Sequence, residues 1–104
     1  MIKVFVSQPM AGLPEEHIKW ARDQAIHSVI DNLDAKLEEV EIIDSYFEDF
    51  KPDAHQLEYL GRSIALMAQA DVVYFASGWL AARGCRIENE VARAYGKRII
   101  ETLG

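Results

Sequence analysis

The sequence predicts an α/β domain of three layers, a four-stranded parallel sheet lying between helices. Three observations predict it. Short β-branched and aromatic runs alternate with longer stretches of helical periodicity in the order βαβαβαβ. The run over residues 71–76, Asp-Val-Val-Tyr-Phe-Ala, is apolar almost throughout, as a strand covered on both faces must be. The chain of 104 residues, half of them apolar, is enough for one domain over residues 1–104 and leaves little for a second.

Each element has its own signal. Residues 3–7 form a β-branched and aromatic run ended by Gln8-Pro9, which gives the first strand. Pro14 suits a first helical position and Glu15 and Glu16 suit a first turn. Ile18, Ala21, Ala25, Val29 and Leu33 then recur at helical spacing, giving a helix over residues 14–33. Residues 40–43 give a short second strand. Leu57, Leu60, Ile64 and Met67 mark a second helix over about residues 54–69, preceded by a loop that carries Tyr46, Phe47 and Phe50. Residues 71–76 are the third strand and 77–84 a loop. Ile87, Val91, Ala94 and Tyr95 mark a third helix, with Glu88 in its opening turn and Gly96 as its C-terminal cap. Residues 97–102 are the last strand. Parallel strands joined by helical crossovers imply a flavodoxin-like or Rossmann-like sheet. Its ligands bind beyond the carboxyl ends of the strands, where the strand order reverses. The loops after the first and third strands are therefore the places to look.

The formal charge of −6 argues against a nucleic-acid footprint, which needs a basic face. No run approaches the ~20 apolar residues of a membrane span, and the opening residues do not read as a secretion signal. One cysteine, Cys85, allows no internal disulfide and fits a reducing compartment, so the expected location is the cytoplasm. His17, His27 and His55 have no metal-ligand spacing, and no metal or other cofactor is expected.

Glu88 is the leading candidate for chemistry, because a carboxylate at that point faces the crevice. Its plainer role is charge complementarity at a helix start, worth about 0.3–1 kcal/mol. The segment from Ser77 to Arg86 holds Gly78, Trp79, Gly84 and Arg86. The glycines let backbone approach a ligand, the arginine can fork onto an anion, and Trp79 can stack on a ring or instead cover the core. Ser7, Gln8, Met10 and Gly12 follow the first strand in a loop that opens a helix. That loop carries neither the dinucleotide fingerprint nor the P-loop signature. Cys85 has no evident histidine partner and reads as a buried thiol.

The run Ala70-Asp71-Val72-Val73, then Gly84, then Glu88-Asn89-Glu90-Val91-Ala92-Arg93-Ala94-Tyr95-Gly96-Lys97, resembles the nucleoside 2-deoxyribosyltransferase superfamily. So does the opening Val4-Phe5-Val6-Ser7-Gln8-Pro9-Met10-Ala11-Gly12. The likeness spans nearly the whole chain and is closest to a small phage and bacterial branch. It implies that Glu88, eight residues before Gly96, is a nucleophile. Its carboxylate would attack the anomeric carbon of a (deoxy)nucleoside or nucleoside monophosphate, and transfer or hydrolysis would follow. It also implies that Ser7, Gln8, Met10 and Gly12 line the sugar and base pocket, with Gly78, Trp79, Gly84 and Arg86 on the other wall.

The sequence departs from that pattern at three points. Where the family carries an aspartate eight residues before the Ala-Asp acid, this chain has Ser63. Where its monophosphate hydrolases carry a phosphate-binding serine, it has Ala82. It also stops at Gly104 after the fourth strand, short of the usual fifth strand and tail. An edge left open in this way implies a homo-oligomer, a dimer or higher. Ser63 keeps a non-catalytic nucleotide-binding module of the same fold as the alternative. A purely structural protein using the acidic surface and residues 46–50 is the third reading.

Overall fold

Four strands pair in parallel in the order β2-β1-β3-β4, where β1 is Ile2–Ser7, β2 is Val40–Ile42, β3 is Val72–Phe75 and β4 is Arg98–Glu101. The structure is a computed structural model and describes residues 1–9, 15–43 and 56–102. Among the described residues three α-helices accompany the sheet: α1 (Glu15–Leu33), α2 (Gln56–Met67) and α3 (Arg83–Ala94). This is the expected three-layer flavodoxin-like or Rossmann-like α/β arrangement.

Register follows from the apolar runs. Val4 to Ser7 of β1 stand opposite Val72 to Phe75 of β3, and Ile2 to Val4 stand opposite Val40 to Ile42. All four residues of β3 are buried, because this central strand is covered above and below. Alternation along the strands divides the core in two. Val4, Val6, Val72 and Tyr74 pack with Ala21, Ala25 and Val29 of α1 on one face. Phe5, Val73 and Phe75 pack with Met67 of α2 and with Cys85 and Ala92 of α3 on the other.

Polar anchors fix the helices to the sheet ends. The Lys97 ammonium donates to the carbonyls of Ala68 and Ala70 at 3.0 and 2.8 Å, placing a cation at the carboxyl end of α2. The helix α3 ends in a Schellman motif. Gly96 has φ +71°, Lys97 N–H donates to Ala92 C=O at 2.9 Å, and Gly96 N–H donates to Arg93 C=O. Asp71 accepts the Lys3 N–H at 2.8 Å. It thus closes the amino end of the sheet, the edge opposite the expected crevice.

The main departure from expectation is the start of the third helix. Gly78, at φ +88°, turns the chain into a 3-10 turn at Trp79–Ala81, Ala82 is extended, and α3 begins at Arg83. Gly84 and Arg86 therefore lie in the helix rather than in a loop, and Glu88 lies in the second turn rather than the opening one. Gly84 thus falls in the first turn of α3, against Leu60 of α2. The other elements fall within a few residues of their expected bounds. Pro14 and the aromatic segment at residues 46–50 lie outside the described residues. Among the described residues, no helix is long and apolar enough to cross a membrane.

Candidate functional site

The strand order reverses between β1 and β3, so the carboxyl ends of these two strands form the switch point where such sheets take ligands. Ser7 is the last residue of β1 and pairs with Phe75, the last of β3. On the helix above, Cys85, Glu88, Asn89 and Ala92 recur at the spacing that faces them to the sheet, and all four are buried.

Ser7 Oγ donates to Glu88 Oε1 at 3.0 Å. Glu88 is only 6% exposed and is the one buried acid among the described residues. Its position in the second turn removes the plainer explanation, because the dipole effect falls away within the first turn. Burial disfavours the carboxylate and the Ser7 hydrogen bond favours it. Burial wins, and the carboxyl is pushed up to about 7. Near neutral pH both forms are populated, so the group can serve as a nucleophile when charged or as a proton donor when neutral.

Cys85 sits one turn earlier on the same face. Burial pushes its thiol up to about 11, the Ser7 hydroxyl pulls the other way, and the Glu88 charge adds to the rise. A thiol so held is inert. A thiol reagent at pH 8 is expected to leave Cys85 unmodified in the native protein and to label it on unfolding. Rapid labelling of the folded chain would contradict this placement.

Beside Glu88, Asn89 takes part in a network that holds α3 over β4. Its Nδ2 donates to Glu101 Oε2 at 3.0 Å, and its Oδ1 accepts from Arg93 Nε at 2.8 Å. Arg93 Nη2 pairs with the same Glu101 oxygen at 2.7 Å. The Arg93 hydrogen bond, aided by Asn89, holds the Glu101 carboxyl below its ordinary range. Asn89 and Arg93 are four apart on the helix, a pairing legible from spacing alone but overlooked there.

The expected binding residues do not all meet. Ser7 touches Glu88. Gly78 carries the loop after β3 against the end of β1: a Cβ built on it would lie 3.5 Å from Pro9 Cγ. Trp79 is buried, with its ring 5.2 Å from Phe75, so it covers the α2/α3 core, and its Nε1 has no partner among the described residues. Gly84 lies against Leu60 of α2. Arg86, two residues before Glu88, is exposed on another side of α3. Met10 and Gly12 lie outside the described residues.

Gln8 follows the parity of Val4 and Val6 and so belongs to the opposite face of the sheet from Ser7. There it lines a cleft of about 100 Å³, together with His17, Trp20 and Gln24 of α1 and Tyr74 and Thr102 of the sheet. The residues 17, 20 and 24 share one stripe of α1, next to the apolar stripe that drew attention in the sequence. Among the described residues, no cluster of three or more His, Cys, Asp or Glu could hold a metal ion.

A four-stranded parallel sheet of order 2-1-3-4 with a buried carboxyl at its switch point defines the class: an α/β domain built on the flavodoxin-like plan. More particularly, residues 2–101 match the family described as a domain of unknown function, DUF4406, and the chain belongs to that family. No curated protein and no solved structure matches the chain.

Proposed function

We propose that the chain is an N-glycosidase or deoxyribosyltransferase, a hydrolase or transferase that cleaves the N-glycosidic bond of a (deoxy)nucleoside or nucleoside monophosphate. The observation that carries this is the buried Glu88 carboxyl, held by Ser7 at the switch point of the sheet. A carboxyl kept out of water and met by one hydroxyl is an expensive way to hold two elements together, since a neutral amide would make the same bond. Strongly perturbed titratable groups cluster at functional sites, which favours a functional role.

In the charged form, a Glu88 oxygen attacks the anomeric carbon and the carbon–nitrogen bond breaks. The base leaves with the bonding pair and takes a proton from solvent. A glycosyl ester remains on Glu88. Water or a second base then attacks the same carbon, the ester bond breaks, and the carboxylate is restored. Ser7 positions the attacking group by donating to its other oxygen.

A second reading, a nucleotide-binding module without catalysis, is favoured by Ser63. It lies half-buried on α2 where the resembled family carries an aspartate, so no second acid is offered there to help the base depart. A cytoplasmic location accompanies either reading, supported by the single buried thiol. Self-association accompanies them too, supported by β4 lying at one edge of the sheet.

Incubation with a panel of deoxynucleosides and nucleoside monophosphates separates the two. Free base is expected from the wild type and none from Glu88→Ala. Nucleotide binding without base release from either protein would establish the module instead. Neither binding nor release would end both readings.

A further inference from the structure

The α1-face cleft holds a polar group that the chemistry at Glu88 does not use. Gln8 is 7% exposed, and among the described residues neither its Nε2 nor its Oε1 has a hydrogen-bond partner. A buried amide left without partners costs about 1–3 kcal/mol, so native structures seldom retain one without a use. Two other polar groups of the lining are occupied with each other: Thr102 Oγ1 donates to Tyr74 Oη at 2.9 Å. The Gln8 amide is thus buried and unpaired among the described residues, with an NH2 to donate and an oxygen to accept on one planar group.

We propose that this cleft binds a small, uncharged, planar ring carrying an amide edge, which pairs with the Gln8 amide while Trp20 packs on its face. Each part of that description comes from the wall. An amide is complementary to another amide, donor to acceptor and acceptor to donor. No Asp, Glu, Lys or Arg lines the cleft among the described residues, so no carboxylate, ammonium or guanidinium stands there to be matched by a charged ligand. Trp20 is 54% exposed and its ring stands 5.7 Å from that of His17, giving the mouth an aromatic side. The volume of about 100 Å³ sets the size. Cavities that hold benzene measure about 150 Å³, and drug-sized ligands need at least about 300 Å³. A single ring seated partly in the open mouth fits, and a whole nucleoside does not.

The site is independent of the glycosyl chemistry. Ser7 and Gln8 are adjacent in sequence, but their side chains belong to opposite faces of the sheet. Loss of either proposal leaves the other standing.

The test is a titration of the isotopically labelled protein with uracil, whose amide edge lies in the ring, and with benzamide, whose amide lies outside it. The readout is the Gln8 side-chain amide resonance. At least one probe is expected to shift that resonance saturably, while 1,3-dimethyluracil, which has no N–H to give, does not. Gln8→Leu is expected to weaken binding about tenfold or more while keeping or raising the thermal midpoint, because it removes an unsatisfied buried amide. Trp20→Ala, at a half-exposed position, gives a second variant that should lose binding with the fold intact. The proposal fails if neither probe moves the Gln8 resonance, or if dimethyluracil binds as well as uracil. It also fails if Gln8→Leu lowers the midpoint, which would make the amide a structural one.

Discussion

Glu88→Gln is expected to make the fold more stable than the wild type at pH 9, by about 3 kcal/mol, and no more stable at pH 4. The carboxyl titrates at about 7 in the folded chain against 4.5 when unperturbed. Below the lower value both states hold the proton, and the burial adds no pH-linked cost. Between the two values the unfolded chain releases the proton and the folded one keeps it, so stability falls as pH rises. Above about 7 the folded state must bury a charge, and the full penalty is present. The amide variant keeps an oxygen to accept from Ser7 and never acquires the charge. For a domain of this size the gap corresponds to a difference in melting temperature of more than about 10 °C at pH 9. Thermal melts of both proteins across pH 4–9 measure it, and a gap that stays constant with pH would show that Glu88 is already ionised in the fold. The same substitution should abolish base release. In the wild type, kcat/KM should rise with pH through about 7, because the attacking species is the carboxylate. A stabilising substitution that removes activity is the signature of a group held for chemistry rather than for the fold.

Phe75→Ala is expected to cost about 3–5 kcal/mol. Phe75 is fully buried at the end of the central strand, packed among the residues that α2 and α3 lay on the sheet, with its ring against Trp79. Its removal opens a void where strand and helices cannot close together, because the β3 backbone is paired to both neighbours. Against a total stability of about 5–15 kcal/mol, this is a large fraction. In urea the midpoint should fall by more than about 1 M. Trp79 fluorescence should shift to the red as its apolar packing is lost, while Leu57→Ala, at an exposed position, leaves both readouts unchanged. A cost below about 1 kcal/mol would mean that this face of the sheet is not the core described.

Much of the fold was legible because the signals were redundant. Val72 to Phe75 are apolar on both parities, which only a strand buried above and below requires. The stripe from Ile18 to Leu33 meets one sheet face at each turn. The start of α3 was not legible. Gly78 and Gly84 together look like an open loop, yet Gly78 supplies the left-handed turn and Gly84 sits in the first helical turn. Fold-level topology brought Ser7 and Glu88 into one neighbourhood before any contact was known, since both lie where the strand order reverses. It treated Ser7 and Gln8 as one loop, however, and overlooked that strand alternation extends through Gln8. Cys85 was read correctly as a buried thiol, but its place beneath the Ser7–Glu88 pair depends on the true helix phase. The α1 cleft was invisible because its stripe is polar and aromatic, and periodicity searches follow apolar positions.

The tip of the first strand serves two chambers through neighbouring peptides, one hydroxyl turned beneath α3 and one amide turned beneath α1. Parity alone keeps them apart. The distance from Val6 to the tip is therefore not a free variable: a one-residue insertion or deletion there would rotate the tip by half a turn and hand each chamber the other's side chain, even with every other residue of the sheet left in place.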